Sequence, residues 1–299
     1  MGAYLSLFSE VFPPKTKFTA ADVPDMTGKV VLVTGGNSGI GKETAAALLA
    51  KGARVYITSR DMDKGAVARE DLKNRTGREP EVLKLNLANL KEVKASAEEF
   101  LGKEKELHVL FNNAGVMNTP VELLTDDGYD LQFGTNVLGH FYFTKLLLPL
   151  LLSTAESAPA GTVRIVNTSS NGHLMGGLRF NTFKDSPARQ KTHTARLYGQ
   201  SKTGNIVFAA ELARRYGAIN TELFRHSPGW FSPVLGPLLN DVSLGAVTQL
   251  YAGTSKEGAN LNGKYLIPWA RLGKPRSDTL DPKLGKELWT WMEEQVANI

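Results

Sequence analysis

Tyr198 and Lys202 stand four residues apart in a stretch, 197 to 216, whose pattern predicts a helix, so both side chains project from one face. A free phenol, with a pKa of about 10, is a poor acid or base near neutrality unless a cation stabilises the phenolate. Lys202 supplies such a charge, and its ammonium can also donate hydrogen bonds to a bound ligand. Alone, a Tyr and a Lys at this spacing are more often a solvated surface pair. Their weight comes from what precedes them in the chain: a glycine turn, an Asn-Asn-Ala-Gly turn and a Ser-Ser strand end, in that order.

The glycine turn needs a strand before it and a helix after it. Val30, Val31, Leu32 and Val33 make an apolar strand, which breaks into Thr34, Gly35, Gly36, Asn37, Ser38, Gly39, Ile40 and Gly41 before a helix begins. Gly35 can take a backbone conformation closed to other residues, Gly39 lets the main chain approach a pyrophosphate, and Gly41 lets helix and strand pack closely. The helix N-terminus adds free N–H groups and a partial positive charge. In this context the turn reads as a dinucleotide cradle.

At the end of the second strand, where an acidic residue would hydrogen-bond the adenosine ribose of NAD, the chain has Ser59 and Arg60. A guanidinium suits a 2′-phosphate, so NADP(H) is the expected cofactor; the bland alternative is a solvated turn arginine beside Asp61. The fourth strand ends in Asn112, Asn113, Ala114 and Gly115, small residues that let the backbone lie against a cofactor. The fifth ends in Asn167, Thr168, Ser169 and Ser170, which sets hydroxyls at the mouth of a cleft.

These pieces require a sheet to hold them. Strand-like segments at 29–34, 54–58, 81–87, 107–112 and 163–168 alternate with helical patterns near 40–51, 62–76, 89–102 and 129–152. Such alternation implies an α/β fold with parallel strands and right-handed crossovers, a single doubly wound Rossmann domain. The strands are mostly continuous apolar runs, as expected where helices cover both faces. A late strand at 264–268 and a last helix at about 282–297 complete the domain, which begins near Gly28 after an N-terminal arm, 1–27.

Composition sets the outer bounds. The 299 residues, 42% hydrophobic and 22% charged, suit one large α/β domain. The absence of cysteine excludes disulfides and thiolate chemistry, and five scattered histidines lack ligand-like spacing, so no metal is expected. A net charge of +5 without a basic run does not suggest nucleic-acid binding. No apolar run reaches the roughly 18 residues of a membrane span, and the expected location is the cytoplasm. Met1-Gly2-Ala3-Tyr4-Leu5-Ser6 fits a myristoylation pattern, and Leu5, Leu7, Phe8, Val11 and Phe12 make a short apolar face. Peripheral membrane contact through the arm is therefore the alternative to an arm packed on the domain.

Taken together, the motifs resemble the short-chain dehydrogenase/reductase family over nearly the whole chain, from Gly28 to Trp291. The Phe12-Pro13-Pro14-Lys15 arm and Leu266-Ile267-Pro268-Trp269 are similar to its retinol-dehydrogenase-like and fungal reductase branch. The resemblance implies Tyr198 as proton donor or acceptor, Lys202 as its partner and Ser170 as the hydroxyl that holds the substrate oxygen. It implies Asn136 in support of a water-linked proton relay, and Asn113 lining the cofactor. The implied reaction is hydride transfer between nicotinamide and a carbonyl or secondary alcohol of a small apolar molecule, without metal. A substrate lid is expected near 224–250, where Trp230, Phe231, Val234, Leu235, Leu238 and Leu239 could equally be helix packing or a dimer contact. Family members often form dimers or tetramers through helices flanking the sheet, so a homo-oligomer is an expected state.

Two departures from the family stand out. Asn86 replaces an Asp that accepts a hydrogen bond from adenine, and an amide carbonyl can accept the same bond. Further on, the helix ending at Tyr216 runs into Gly217-Ala218-Ile219-Asn220-Thr221, which aligns Thr221 with the family's carboxamide-contacting Thr and leaves no room for a sixth strand. The competing alignment makes 218–224 that strand and Pro228-Gly229 the family's Pro-Gly, at the cost of placing Asn220 and Glu222 in an inner strand. The first alignment is favoured here. It predicts a variant lacking the sixth strand, with an intact adenosine half-site, an impaired nicotinamide half-site, and a non-catalytic dinucleotide-binding protein as the alternative function.

Overall fold

The computed structural model describes residues 13–217, 220–226 and 242–299. Its centre is one sheet of eight strands: β1 (Val30–Val33), β2 (Arg54–Ser59), β3 (Glu81–Lys84), β4 (Val109–Asn112), β5 (Arg164–Ser170), β6 (Asn220–His226), β7 (Tyr265–Ile267) and β8 (Arg271–Leu272). Their order across the sheet is β3-β2-β1-β4-β5-β6-β7-β8, parallel throughout except for the antiparallel β7–β8 pair at one edge. The chain order reverses between β1 and β4, which is where ligands bind in open sheets of this kind.

Apolar strands without polar alternation require cover on both faces, and the cores show it. Val30 and Leu32 point into one cluster with Tyr56, Leu110 and Ile165; Val31 and Val33 point into the other with Val55, Ile57, Phe111 and Val166. Helices α1 (Gly39–Ala50), α2 (Met62–Thr76) and α6 (Val242–Thr254) cover the second face. Helices α3 (Leu90–Lys103), α4 (Leu131–Ser157), α5 (Thr194–Arg215) and α7 (Pro282–Val296) cover the first. By length and apolarity α4 could cross a membrane, yet 67% of its most apolar window is buried inside the molecule, as befits a core helix. Within α4, residues Gly134–Gly139 form a π-helical segment, a local widening that carries Asn136.

The sixth strand is present, and the favoured sequence alignment was wrong. β6 runs from Asn220 to His226 and pairs in parallel with β5 along its whole length, from Arg164 opposite Asn220 to Ser170 opposite His226; on its other side it pairs with β7. The argument from buried polar side chains was outweighed by the backbone. Without β6, seven residues of β5 would have an unpaired row of donors and acceptors in the middle of the sheet. The neighbouring β5 is itself an inner strand with buried Arg164, Asn167, Thr168, Ser169 and Ser170, so polar residues are no bar to an inner position here. With the strand in place, the reading of a defective or non-catalytic product loses its support.

Of the N-terminal arm, residues 13–27 are described. Phe18, Val23 and Met26 are buried in the second core, and the Phe18 ring meets Tyr251 edge-on at 5.3 Å. This part of the arm is packed on the domain. The myristoylation pattern at Gly2 and the apolar face from Leu5 to Phe12 lie outside the described residues.

Candidate active site

The parallel strands bring their carboxyl ends to one edge, and there the predicted pieces meet. The turn after β1 and the turn after β4 are tied by one hydroxyl: Thr34 Oγ1 accepts the backbone N–H groups of Asn113 and Ala114, both at 2.9 Å, while Asn113 Nδ2 donates to the Thr34 carbonyl at 2.9 Å. Gly41 is where α1 must pass this junction. A Cβ there would come within 2.5 Å of the Gly35 carbonyl oxygen and 2.6 Å of Asn113 Nδ2. Gly41→Ala is therefore expected to destabilise the fold by about 1–3 kcal/mol and to weaken dinucleotide binding with it, as read by denaturant unfolding with and without NADPH.

The turn fits a pyrophosphate. Gly35 and Gly39 have φ of +64° and +54°, and a Cβ on Gly39 would project into open space above the turn. Ser38, the exposed N-cap of α1, makes no side-chain cap bond, so the first N–H groups of the helix keep their capacity for an anion. Asn37 is half-buried beside it, and Ile40 packs down onto the second core. At the end of β2, Arg60 is exposed. Asn86 follows β3, where its Oδ1 accepts the Ala88 N–H at 3.1 Å and its Nδ2 donates to Glu92 Oε1 at 3.4 Å. One lone pair of that oxygen is left for a donor such as adenine.

Ser170, Tyr198 and Lys202 come together beside this cradle, all three buried. Ser170 ends β5, its Oγ accepting the Gly172 N–H at 3.1 Å and donating to Asn171 Oδ1 at 3.2 Å. Lys202 Nζ lies 5.7 Å from the centre of the Tyr198 ring and donates to the Thr168 carbonyl at 3.1 Å. Burial pushes the Tyr198 phenol up to about 12, with the facing Ser170 hydroxyl pulling the other way. Burial also lowers Lys202 to about 8. At neutral pH the pair is thus a neutral phenol beside an ammonium, the state suited to giving a proton to a carbonyl oxygen.

Asn136 sits on the π-helical segment and is held at every polar atom of its side chain. Its Nδ2 donates to the Val116 carbonyl at 2.9 Å and to Ser201 Oγ at 3.0 Å; its Oδ1 accepts the Val116 N–H at 2.8 Å. The asparagine therefore joins the loop after β4 to the helix of Tyr198 and Lys202. Its backbone carbonyl accepts His140 Nδ1–H at 3.0 Å.

Comparison with known proteins fits this geometry. The short chain dehydrogenase family model matches residues 29–235. The chain belongs to the short-chain dehydrogenase/reductase family. It is 54% identical to a short-chain dehydrogenase/reductase of Armillaria gallica over the whole of both chains. It is 38% identical to mouse retinol dehydrogenase 12, across 96% of this chain and 93% of the mouse protein. A crystal structure from Mycobacterium paratuberculosis superposes with a TM-score of 0.76 at 30% identity, covering 94% of this chain and 98% of that one. As a short-chain dehydrogenase/reductase the chain is an oxidoreductase acting on CH–OH or C=O groups with a nicotinamide dinucleotide, so the retinol-dehydrogenase-like and fungal resemblance holds.

Two parts of the sequence reading are revised within that family. Thr221 was aligned with a cofactor contact, but it pairs with Ile165 near the amino end of β6, five residues before the end at His226. At roughly 3.3 Å per residue it lies about 17 Å from the cofactor edge. Of the lid expected at 224–250, residues 224–226 end β6, and 242–250 belong to α6, whose Gly245, Ala246 and Leu250 are buried against the domain. The remainder, with Pro228, Gly229 and the six apolar residues from Trp230 to Leu239, falls outside the described residues.

Sequence reasoning also missed His140. It is buried, its Nδ1 donates to Asn136, and its Nε2 meets Thr34 Oγ1 at 2.9 Å. Burial holds its pKa down to about 4, so the ring is neutral and Nε2 accepts the Thr34 hydroxyl proton. One imidazole thus links the cofactor turns to the π-helical segment. The signal available was a histidine four residues after Asn136 on a predicted helix.

Proposed function

We propose that the chain is an NADP(H)-dependent oxidoreductase that moves hydride between the nicotinamide ring and a carbonyl or secondary alcohol of a small apolar molecule. The observation that carries this reading is the buried grouping of Ser170, Tyr198 and Lys202 next to a glycine turn shaped for an anion. The dinucleotide would be held at Gly35–Gly41, Asn113 and Lys202, with Asn37, Ser38 and Ile40 shaping the turn; when bound it supplies or accepts the hydride. The protein's own residues do the rest. Ser170 Oγ holds the substrate oxygen, the Tyr198 phenol gives it a proton on reduction or takes one on oxidation, and the Lys202 ammonium stabilises the phenolate. Asn136 fixes the helix that carries both.

The preference for NADP(H) rests on Arg60, an exposed guanidinium after β2 where an acidic side chain would favour NAD. A related fold from Pseudomonas aeruginosa, 25% identical with a TM-score of 0.63, was solved as a complex with NADP. Replacing the guanidinium tests it: in Arg60→Asp the Kd for NADPH should rise about 10- to 100-fold while that for NADH falls or holds, by fluorescence titration. Unchanged discrimination would remove NADP(H) from the reading. The apolar substrate is supported by the name of mouse retinol dehydrogenase 12, which implies an apolar alcohol for that relative. Deuteride transfer from labelled NADPH to a panel of apolar ketones and aldehydes tests the reaction itself; no transfer to any of them, with cofactor binding intact, would refute the substrate class.

A further inference from the structure

A second concave site lies just behind the proposed reacting groups. It is a cleft of about 360 Å³, lined by three arginines from three separate segments: Arg179 after β5, Arg196 on α5 and Arg276 before α7. Leu174, Met175 and Leu197 supply its apolar surface, the first two 47% and 40% exposed. Arg276 forms a fork on the Asp278 carboxylate. The exposed side chains of Arg179 and Arg196 have no hydrogen-bond or ion-pair partner among the described residues. Three like charges line one cleft, only Arg276 among them is paired with a carboxylate, and no acidic residue lines the cleft, which leaves a local excess of positive charge.

Buried polar groups set this arrangement in place. The Gln200 side chain, itself buried, accepts the Arg179 backbone N–H at 2.9 Å and donates to Thr182 Oγ1 at 2.9 Å. Buried His173 donates Nδ1–H to the Ser170 carbonyl at 2.8 Å and takes the Arg276 N–H on Nε2 at 3.4 Å, and its own carbonyl accepts from the Arg276 guanidinium. The same segment lies tight against the catalytic helix: a Cβ on Gly172 would be 2.9 Å from the Tyr198 ring, and one on Gly199 would be 2.5 Å from the Gly172 carbonyl. The cleft is thus fixed by residues on either side of Ser170 and Tyr198.

We propose that this cleft is an anion-binding site that takes a carboxylate or phosphate monoester carried on an apolar chain. Planar guanidiniums match both headgroups in geometry, and the exposed Leu174 and Met175 receive the chain. The site is separate from the dinucleotide cradle, and binding to it does not depend on turnover.

Calorimetric titration of decanoate and of decyl phosphate, with decan-1-ol as the neutral control, tests this with and without saturating NADP⁺. Binding of at least one anionic probe but not the alcohol is expected, unaffected by NADP⁺. That affinity should fall about 10- to 100-fold in Arg179→Gln/Arg196→Gln and fall with salt, while Lys105→Gln, in the exposed loop before the amino end of β4, matches the parent. Both arginines are exposed, so the double variant should melt with the parent. The proposal is overturned if neither anion binds, if the alcohol binds as well as they do, if the double variant binds equally, or if NADP⁺ abolishes the signal and so places the probes in the cofactor cradle.

Discussion

Tyr198→Phe is expected to lower kcat for carbonyl reduction by about 10²- to 10⁴-fold while the Kd for NADPH stays within about twofold of the parent. The substitution removes one oxygen and keeps the ring, so the packing of Gly172 against that ring survives. What is lost is the one phenol facing Ser170, the proton source in the proposed reaction. With its pKa near 12 the phenol is fully protonated across the physiological range, ready to donate without any prior ionisation step. Single-turnover hydride transfer separates the outcomes. A variant that binds cofactor normally and transfers hydride at the parental rate would show that the proton comes from elsewhere.

Lys202→Met is expected to abolish turnover and yet make the protein more stable. The ammonium is buried with its pKa depressed from 10.5 to about 8, and the cause is desolvation. At about 1.4 kcal/mol per unit the charged form costs the fold roughly 3 kcal/mol, offset by about 1 kcal/mol from its hydrogen bond to the Thr168 carbonyl. A methionine of similar length should recover about 2 kcal/mol. The gain depends on pH in a definite direction. Below about 8 the lysine is charged in both folded and unfolded chains, and the full cost applies. Between 8 and 10.5 the unfolded chain holds more protons, so the parent gains stability with rising pH and the advantage of the variant shrinks towards zero. In the parent, activity should fall as pH rises through about 8, when Lys202 loses the charge that favours the phenolate. Urea unfolding at pH 7 and pH 10 reads the stability difference, and one that grows with pH would refute the account.

Much of this architecture was legible because its strands are short apolar runs between recognisable breaks. β1 announces itself in Val30–Val33, and the helix at 62–76 matches α2 at both ends, because Asp61 caps its start and Gly77 in the left-handed region ends it. The strand-end turns were readable from their order, since parallel strands must deliver their carboxyl ends to the same edge, whereas the assignment of Ser170, Tyr198 and Lys202 as a group came through the family resemblance. β6 was misread for the opposite reason. Side-chain character is a good guide to a strand only where side chains decide its place, and here the unpaired backbone of β5 decides it. His140 and His173 were invisible as functional parts because each acts by joining segments far apart in the chain: Thr34 with Asn136 in one case, Ser170 with Arg276 in the other. Periodicity reports which face of a helix is inward, not which backbone carbonyl waits there.

The last helix carries a consequence for how copies of this chain could meet. α7 lies across the outer surfaces of both α4 and α5: Trp289 stands edge-on to Phe141 at 5.1 Å and packs beside Phe208, and Lys145 pairs with Glu293 at 3.3 Å. Leu288, Trp289 and Met292 are buried there. Opening the α4–α5 surface to another subunit would require peeling α7 away, exposing three large apolar side chains at a cost of several kcal/mol, about 1.5–3 for each. The chain's own C-terminal end fills the seat that a sister subunit would need.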